Sequence, residues 1–313
     1  MDLSLLSPPE RLEIELSILY SKEGYVRTKL SQFDEYELFD RHRAFLSGER
    51  MLTFTDPHGK LFALRPDVTL SVLKQAAYVP MDSVRVYYKE DVFRMSKETR
   101  SFESSRQIGV ERIEKSVPSS GKQILSLAQK SLSLIPADTV LVLSHMDLFD
   151  KNEWFHSLSA QDQDQVLFLM GQKNAHDLKQ LLEAKGCPEL MEGQILYALN
   201  LTGSPEEIRE QTAMLPEDLM ISSCCRRVLE LADQIPSDEH HRIVIDFSLV
   251  NSLNFYNGLI FQGFAEGCSH YVLSGGRYDR LAAEFISDRD KNCGAIGFAI
   301  SMDELEPVWK ERS

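Results

Sequence analysis

Gln107-Ile108-Gly109-Val110-Glu111-Arg112-Ile113 reads as a strand with two polar side chains on one face, because Gln107 and Glu111 lie at even spacing along an extended chain. Strand-like runs precede it at residues 51–54, 61–64 and 84–88, and Pro57-His58-Gly59-Lys60 between the first two predicts a hairpin. Residues 69–78 have helical composition. Near the amino end, Ser7-Pro8-Pro9-Glu10 carries a helix start: a Ser cap, prolines in the first turn and Glu three residues after the cap. Leu12, Leu16 and Leu19 follow at i, i+4 and i+7 and give that helix one apolar face, to about Gly24. The first 115 residues therefore mix helices with an antiparallel sheet.

Farther along, a strand at 140–144 is followed by a stretch of consecutive helices, from about 147 to 236. Ser204-Pro205-Glu206-Glu207 repeats the helix-start signal inside it, and Gly186, Pro188, Gly203 and Pro216 punctuate it. Strand composition returns at 242–247, 259–264 and 270–273, with a last strand and helix from Ala295 onward. Two sheet-forming segments around a helical block predict one α+β domain over residues 1–313, interrupted by a helical insertion.

Composition narrows the function. The apolar share of 43% and charged share of 26% are those of a soluble globular chain. No apolar run is long enough for a membrane span, and Met1-Asp2-Leu3-Ser4-Leu5-Leu6 lacks the basic flank of a signal peptide, so a cytoplasmic address is expected. With 34 basic and 48 acidic residues the net charge is −14, which repels a phosphate backbone over most of the surface and counts against nucleic acid as partner. The five cysteines form no C-x-x-C pair, and His240-His241 sits in a polar turn, so buried thiols, a solvated histidine pair and no metal are expected. Ser120-Gly121-Lys122 lacks the upstream glycines of a phosphate-binding loop.

Four ordered segments, spread over most of residues 8–308, resemble histidyl-tRNA synthetases. They are Leu64-Arg65-Pro66-Asp67-Val68-Thr69; the stretch from Val92-Phe93-Arg94 to Arg106-Gln107-Ile108-Gly109-Val110-Glu111; Phe255-Tyr256-Asn257-Gly258 with Ser274-Gly275-Gly276-Arg277-Tyr278-Asp279; and Gly297-Phe298-Ala299-Ile300. The resemblance implies a class II aminoacyl-tRNA synthetase-like fold: a six-stranded antiparallel sheet flanked by helices, with the helical insertion between the second and third segments. It also implies a homodimer core, although the first family motif is weak here, with Thr28-Lys29 in place of Thr-Pro.

For the pocket, the resemblance makes Asp67 and Thr69 receivers of an amino group, Glu111 the acceptor for an imidazole N–H with Gln107 nearby, and Tyr256 and Tyr278 aromatic partners of the ring. Such a set suits free histidine, which needs acceptors for its ammonium and ring N–H and apolar walls. Read singly, Asp67 also fits a helix cap, Glu111 a solvated strand position and Tyr256 a core ring.

The nucleotide half departs from the family. Arg94 keeps one phosphate-binding arginine, but Met95-Ser96 replaces a Tyr-Glu, Asn251 replaces a second arginine and Glu304 a third, the last setting negative charge where a triphosphate is expected. Each lost charge-stabilising group removes about a hundred- to a thousandfold in rate. The family's carboxyl-terminal anticodon-binding domain is also not expected, since the chain stops nine residues after Glu304, at Ser313. A histidine pocket without catalysis resembles the family of ATP phosphoribosyltransferase regulatory subunits. That resemblance implies a short-form catalytic subunit as partner within a hetero-oligomer, histidine as effector, no cofactor and no tRNA, with the transferase chemistry on the partner. The alternatives are a minimal histidine-activating, adenylate-forming enzyme in which Arg100 and Arg106 help Arg94, and a purely structural module.

Overall fold

The computed structural model describes residues 5–43, 45–46, 50–79, 82–96, 99–114, 121–250, 256–286 and 293–310. The chain opens with helix α1 (Pro8–Lys22), strands β1 (Val26–Arg27) and β2 (Phe33–Glu35), and helix α2 (Tyr36–Arg41). The hairpin β3 (Thr53–Thr55) and β4 (Leu61–Leu64), helix α3 (Val68–Ala76) and two long strands, β5 (Ser83–Met95) and β6 (Phe102–Glu114), follow. Helix α4 (Gly121–Leu132) leads to β7 (Thr139–His145). The helical block comprises α5 (Asp147–Asp150), α6 (Glu153–Ser157), α7 (Ala160–Gly171), α8 (Ala175–Ala184), α9 (Glu189–Asn200), the short strand β8 (Thr202–Gly203), α10 (Pro205–Thr212) and α11 (Met220–Ala232). Strands β9 (His241–Asp246), β10 (Leu259–Ala265) and β11 (Leu273–Arg277), helix α12 (Asp279–Phe285), strand β12 (Gly294–Ser301) and helix α13 (Glu306–Lys310) complete it.

The main sheet has the order β1-β5-β6-β12-β11-β10-β7-β9-β8, and β2-β4-β3 form a small second sheet. Its central six strands, β5 to β7 in that order, pair antiparallel, as expected. The expectation of six strands falls short at both edges: β1 joins β5 and β9 joins β7 in parallel, and β8 pairs antiparallel with β9. The strand expected at 270–273 instead runs through Leu273–Arg277, so Gly275 and Gly276 lie within the sheet.

Local chemistry explains the well-placed elements. The Ser7 N–H and hydroxyl both donate to Glu10 Oε2, at 3.0 and 2.6 Å, and fix the start of α1. At α10, Ser204 N–H donates to Glu207 Oε2 at 2.7 Å while Ser204 Oγ accepts from Glu207 N at 3.2 Å, a complete reciprocal cap. Ser204→Ala is expected to cost about 1 kcal/mol, read by urea denaturation. In the β3–β4 hairpin, Asp56 accepts from the His58 and Lys60 N–H groups at 2.8 and 2.9 Å, and Gly59 supplies φ +80°.

Strand alternation gives the main sheet two different faces. On one, Ile108, Val110, Ile296, Phe298 and Ile300 are buried in one core with Leu12, Leu16 and Tyr20 of α1 and Ile124, Leu125 and Ala128 of α4. Each such large side chain contributes about 1.5–3 kcal/mol. The alternate residues, Gln107, Gly109, Glu111, Gly297, Ala299 and Ser301, lie opposite one another in the β6–β12 register. Small side chains there keep the second face open, and α3 packs with Tyr88, Ile113, Ala295 and Tyr278 on that side.

Candidate ligand site on the open sheet face

All seven residues singled out from the sequence, Asp67, Thr69, Arg94, Gln107, Glu111, Tyr256 and Tyr278, line one cleft of about 470 Å³ on the open face. Asp67 lies where β4 passes into α3 and serves two ends. Its carboxylate caps α3 by accepting from Leu70 N at 3.1 Å, and it also lines the cleft. Cap and pocket wall, alternatives in the sequence, coincide.

Glu111 stands at the floor, only 2% exposed. It accepts from Thr69 Oγ1 at 2.8 Å and from the Tyr278 hydroxyl. Burial pushes its carboxyl up to about 8, although both of these hydrogen bonds act in the opposite direction and Asp67 reinforces the rise. Since Thr69 spends its proton on Glu111, its oxygen is left to the cleft as an acceptor. Burial also holds Asp67 above its ordinary range in spite of Arg94 and the Leu70 and Thr69 N–H groups. Arg94 donates from Nε to Pro66 O at 2.7 Å and lies 3.9 Å from Asp67. Among the described lining residues it is the single cation.

Three glycines make the floor deep. A Cβ at Gly297 would overlap the Glu111 carboxylate, one at Gly276 would meet the Tyr256 ring at 2.7 Å, and one at Gly109 the Tyr88 ring at 2.5 Å. Tyr88 is a wall residue that the sequence reading missed: it is 2% exposed and lines the cleft, and its hydroxyl has no hydrogen-bond partner among the described residues. Its even spacing from Arg94 on β5 was the available signal. Tyr271, Ser274 and Gln262 were missed as well.

Two expectations change here. Glu304 lies on a short 3-10 turn, Asp303–Leu305, and is not among the residues lining the cleft. Met302 and Leu305 turn into the core while Asp303 anchors the turn by accepting from Arg106 N at 2.9 Å, so the charge of Glu304 does not oppose a triphosphate in the cleft. Asn251 lies outside the described residues. Arg106, offered as a substitute cation, has the opposite strand parity to Gln107 and is held by Asp91 at 2.9 Å and Glu13 at 3.6 Å; neither it nor Arg100 lines the cleft. Arg65 is likewise structural: fully buried, it donates to Ser31 O, Glu90 and Asp91 O.

The antiparallel sheet, its flanking helices and the cleft at its centre define a class II synthetase-like fold. The histidyl-tRNA synthetase family model matches residues 7–305, and the chain belongs to that family. Within it, the chain is similar to an ATP phosphoribosyltransferase regulatory subunit from Alkaliphilus metalliredigens, 27% identical over 290 residues that cover 91% of this chain and 72% of the relative. A solved ATP phosphoribosyltransferase regulatory subunit/histidyl-tRNA synthetase from Bacillus halodurans shares the fold with a TM-score of 0.77 at 20% identity, over 96% of this chain and 79% of that one. A chain of an ATP phosphoribosyl transferase (HisG:HisZ) complex from Thermotoga maritima does so with a TM-score of 0.68 at 20% identity, over 94% of this chain and 97% of that one.

Proposed function

We propose that this chain is a non-catalytic regulatory subunit of ATP phosphoribosyltransferase that binds histidine in the open-face cleft, assembles with a short catalytic subunit and with itself, and makes that subunit's activity sensitive to histidine. The observation that carries the proposal is the acid–base balance of the cleft: one buried carboxyl, Glu111, and one partly buried, Asp67, against one arginine, Arg94. Such a set suits a small cation with N–H donors and an aromatic ring, and lacks the several cations that a reacting triphosphate demands. In this reading the helices from about 147 to 236 are one insertion in a single class II-like domain. No helix among the described residues is long and apolar enough to cross a membrane.

Mechanistically, Asp67 and Thr69 take the ammonium, Glu111 takes an imidazole N–H, and the tyrosine walls exclude water. Bound histidine shifts the assembly toward a less active state by its differential affinity for the two states, typically about 1–3 kcal/mol of coupling. The test is reconstitution: a short catalytic subunit is assayed for phosphoribosyl-ATP formation alone, with this chain, and with this chain plus histidine. Stimulation by the chain and its reversal by histidine are expected. A catalytic subunit indifferent to the chain overturns the proposal.

A further inference from the structure

Behind the sheet, on the face opposite the cleft, lies a second cavity of about 570 Å³, where the helical block meets the strand ends. The register separates the two spaces: Ile260 and Gly297 border the cleft, whereas their chain neighbours Leu259 and Ile296 border this cavity. Among its buried polar groups is His145, at the end of β7 and 8% exposed, beside the equally buried Asp147. The imidazole Nδ1 accepts the Asp147 N–H at 3.3 Å and lies 3.5 Å from Asp147 Oδ1; the shorter contact selects the tautomer with the ring proton on Nε2. Among the described residues nothing hydrogen-bonds to Nε2, and the ring lines the cavity, so this N–H is left to an occupant. Burial presses His145 down to about 4, so the ring is a neutral donor.

Three of the four lining acids are already paired, and the fourth, Glu230, is exposed at the rim. Asp147 accepts from Lys151 at 2.5 Å and Arg227 at 2.8 Å. Asp279 accepts from Arg277, Asn257 and Ala295 N at 3.1, 3.1 and 2.8 Å, and Asp150 pairs with Arg280 at 3.4 Å. The cations are not exhausted: Arg227 and Arg280 have five N–H groups each, are 48% and 55% exposed, and are engaged by one acid apiece. The cavity's four cations and four carboxylates balance in charge, but N–H groups remain uncommitted on His145 at the end of β7, Arg227 of α11 and Arg280 of α12, beside Lys151 just after α5.

We propose that this cavity is a second ligand site, in which His145 Nε2, Arg227, Arg280 and Lys151 take the phosphoryl group of a small phosphorylated molecule. Donors arriving from four elements match a tetrahedral group with three free oxygens better than a planar carboxylate with two. An occupant bridges the helical block and the sheet, and the strands that wall it are the ones that floor the histidine cleft on their other side. The site is independent of the histidine reading and goes beyond it.

Isothermal titration of inorganic phosphate into the whole chain tests it, with acetate as the carboxylate comparison. Saturable phosphate binding at millimolar concentration or below is expected, against the general repulsion of a chain of charge −14. Arg227→Gln/Arg280→Gln is expected to weaken it at least about tenfold. The variant leaves Asp147 with Lys151, and the single Arg227→Gln variant gives the same direction should the double variant melt early. No saturable phosphate binding, undiminished binding in these variants, or acetate binding as tightly as phosphate overturns the proposal. Histidine titrated into the same samples is expected to bind unchanged, so its failure to bind counts against the cleft and not against this site.

Discussion

Glu111→Gln is expected to lower affinity for histidine about a hundredfold and, at the same time, to make the protein more stable in alkaline solution. The two effects share one cause, a carboxyl taken out of water on the cleft floor with only the hydroxyls of Thr69 and Tyr278 for company. Losing a charged acceptor for a ligand N–H removes a charge-assisted hydrogen bond and leaves a buried donor poorly matched, about 2–3 kcal/mol. The stability effect follows from linkage. Burial raises the carboxyl from an ordinary 4.5 to about 8, so in that window the folded chain holds a proton that the unfolded chain has released. The stabilisation from that proton is complete below 4.5 and is lost as pH rises through 8. Gln has no proton to lose, and above pH 8 the variant gains on the order of 3–5 kcal/mol over wild type. Melting curves at about pH 6 and pH 9 check the sign: the gap between variant and wild type widens toward alkali. A gap that closes instead places Glu111 in a far wetter environment. The same protonation makes histidine binding release protons below pH 8, so affinity rises between about pH 7 and 8.

Gly297→Ala is the second large effect. Its added Cβ would overlap the Glu111 carboxylate and approach Val110 O at 2.5 Å, between two strands that pair residue by residue. Neither neighbour can yield, because one is a backbone carbonyl and the other is held by Thr69 and Tyr278. We expect a loss of about 2–3 kcal/mol in denaturant unfolding and no measurable histidine binding. Gly193→Ala is the control: it lies in α9 with nothing within 4 Å of the new methyl, and it is expected to gain up to about 1 kcal/mol from helix propensity. Equal behaviour of the two variants removes the steric account of the cleft floor.

What was legible in the sequence was local or carried by a motif. The caps at Ser7 and Ser204 and the Asp56–Lys60 turn are set by residues within four positions of each other, and all three formed as read. The cleft residues were found because the motifs fix their positions and strand parity then puts Gln107 and Glu111 on one face. Tyr88 obeys the same parity with Arg94 but sits outside the quoted motifs. The parallel edge strands escaped because pairing Val26 with Val86, or Thr139 with His241, is a long-range choice that no local pattern records. The strand through Gly275 and Gly276 escaped because glycine in a strand is uncommon; here close neighbours demand it, Phe298 and Phe261 at Gly275 and the Tyr256 ring at Gly276. Glu304 was misplaced because sequence order after β12 does not reveal that Met302 and Leu305 rotate the turn into the core.

Equilibrium dialysis of histidine and of ATP with magnesium against the same protein most directly tests whether this cleft is built for a cationic amino acid and not for a nucleotide. We expect histidine to be retained at one molecule per chain and to be lost with Glu111→Gln, and ATP to distribute evenly across the membrane. Retention of ATP in the cleft, with histidine-dependent exchange of pyrophosphate into it, would contradict the account.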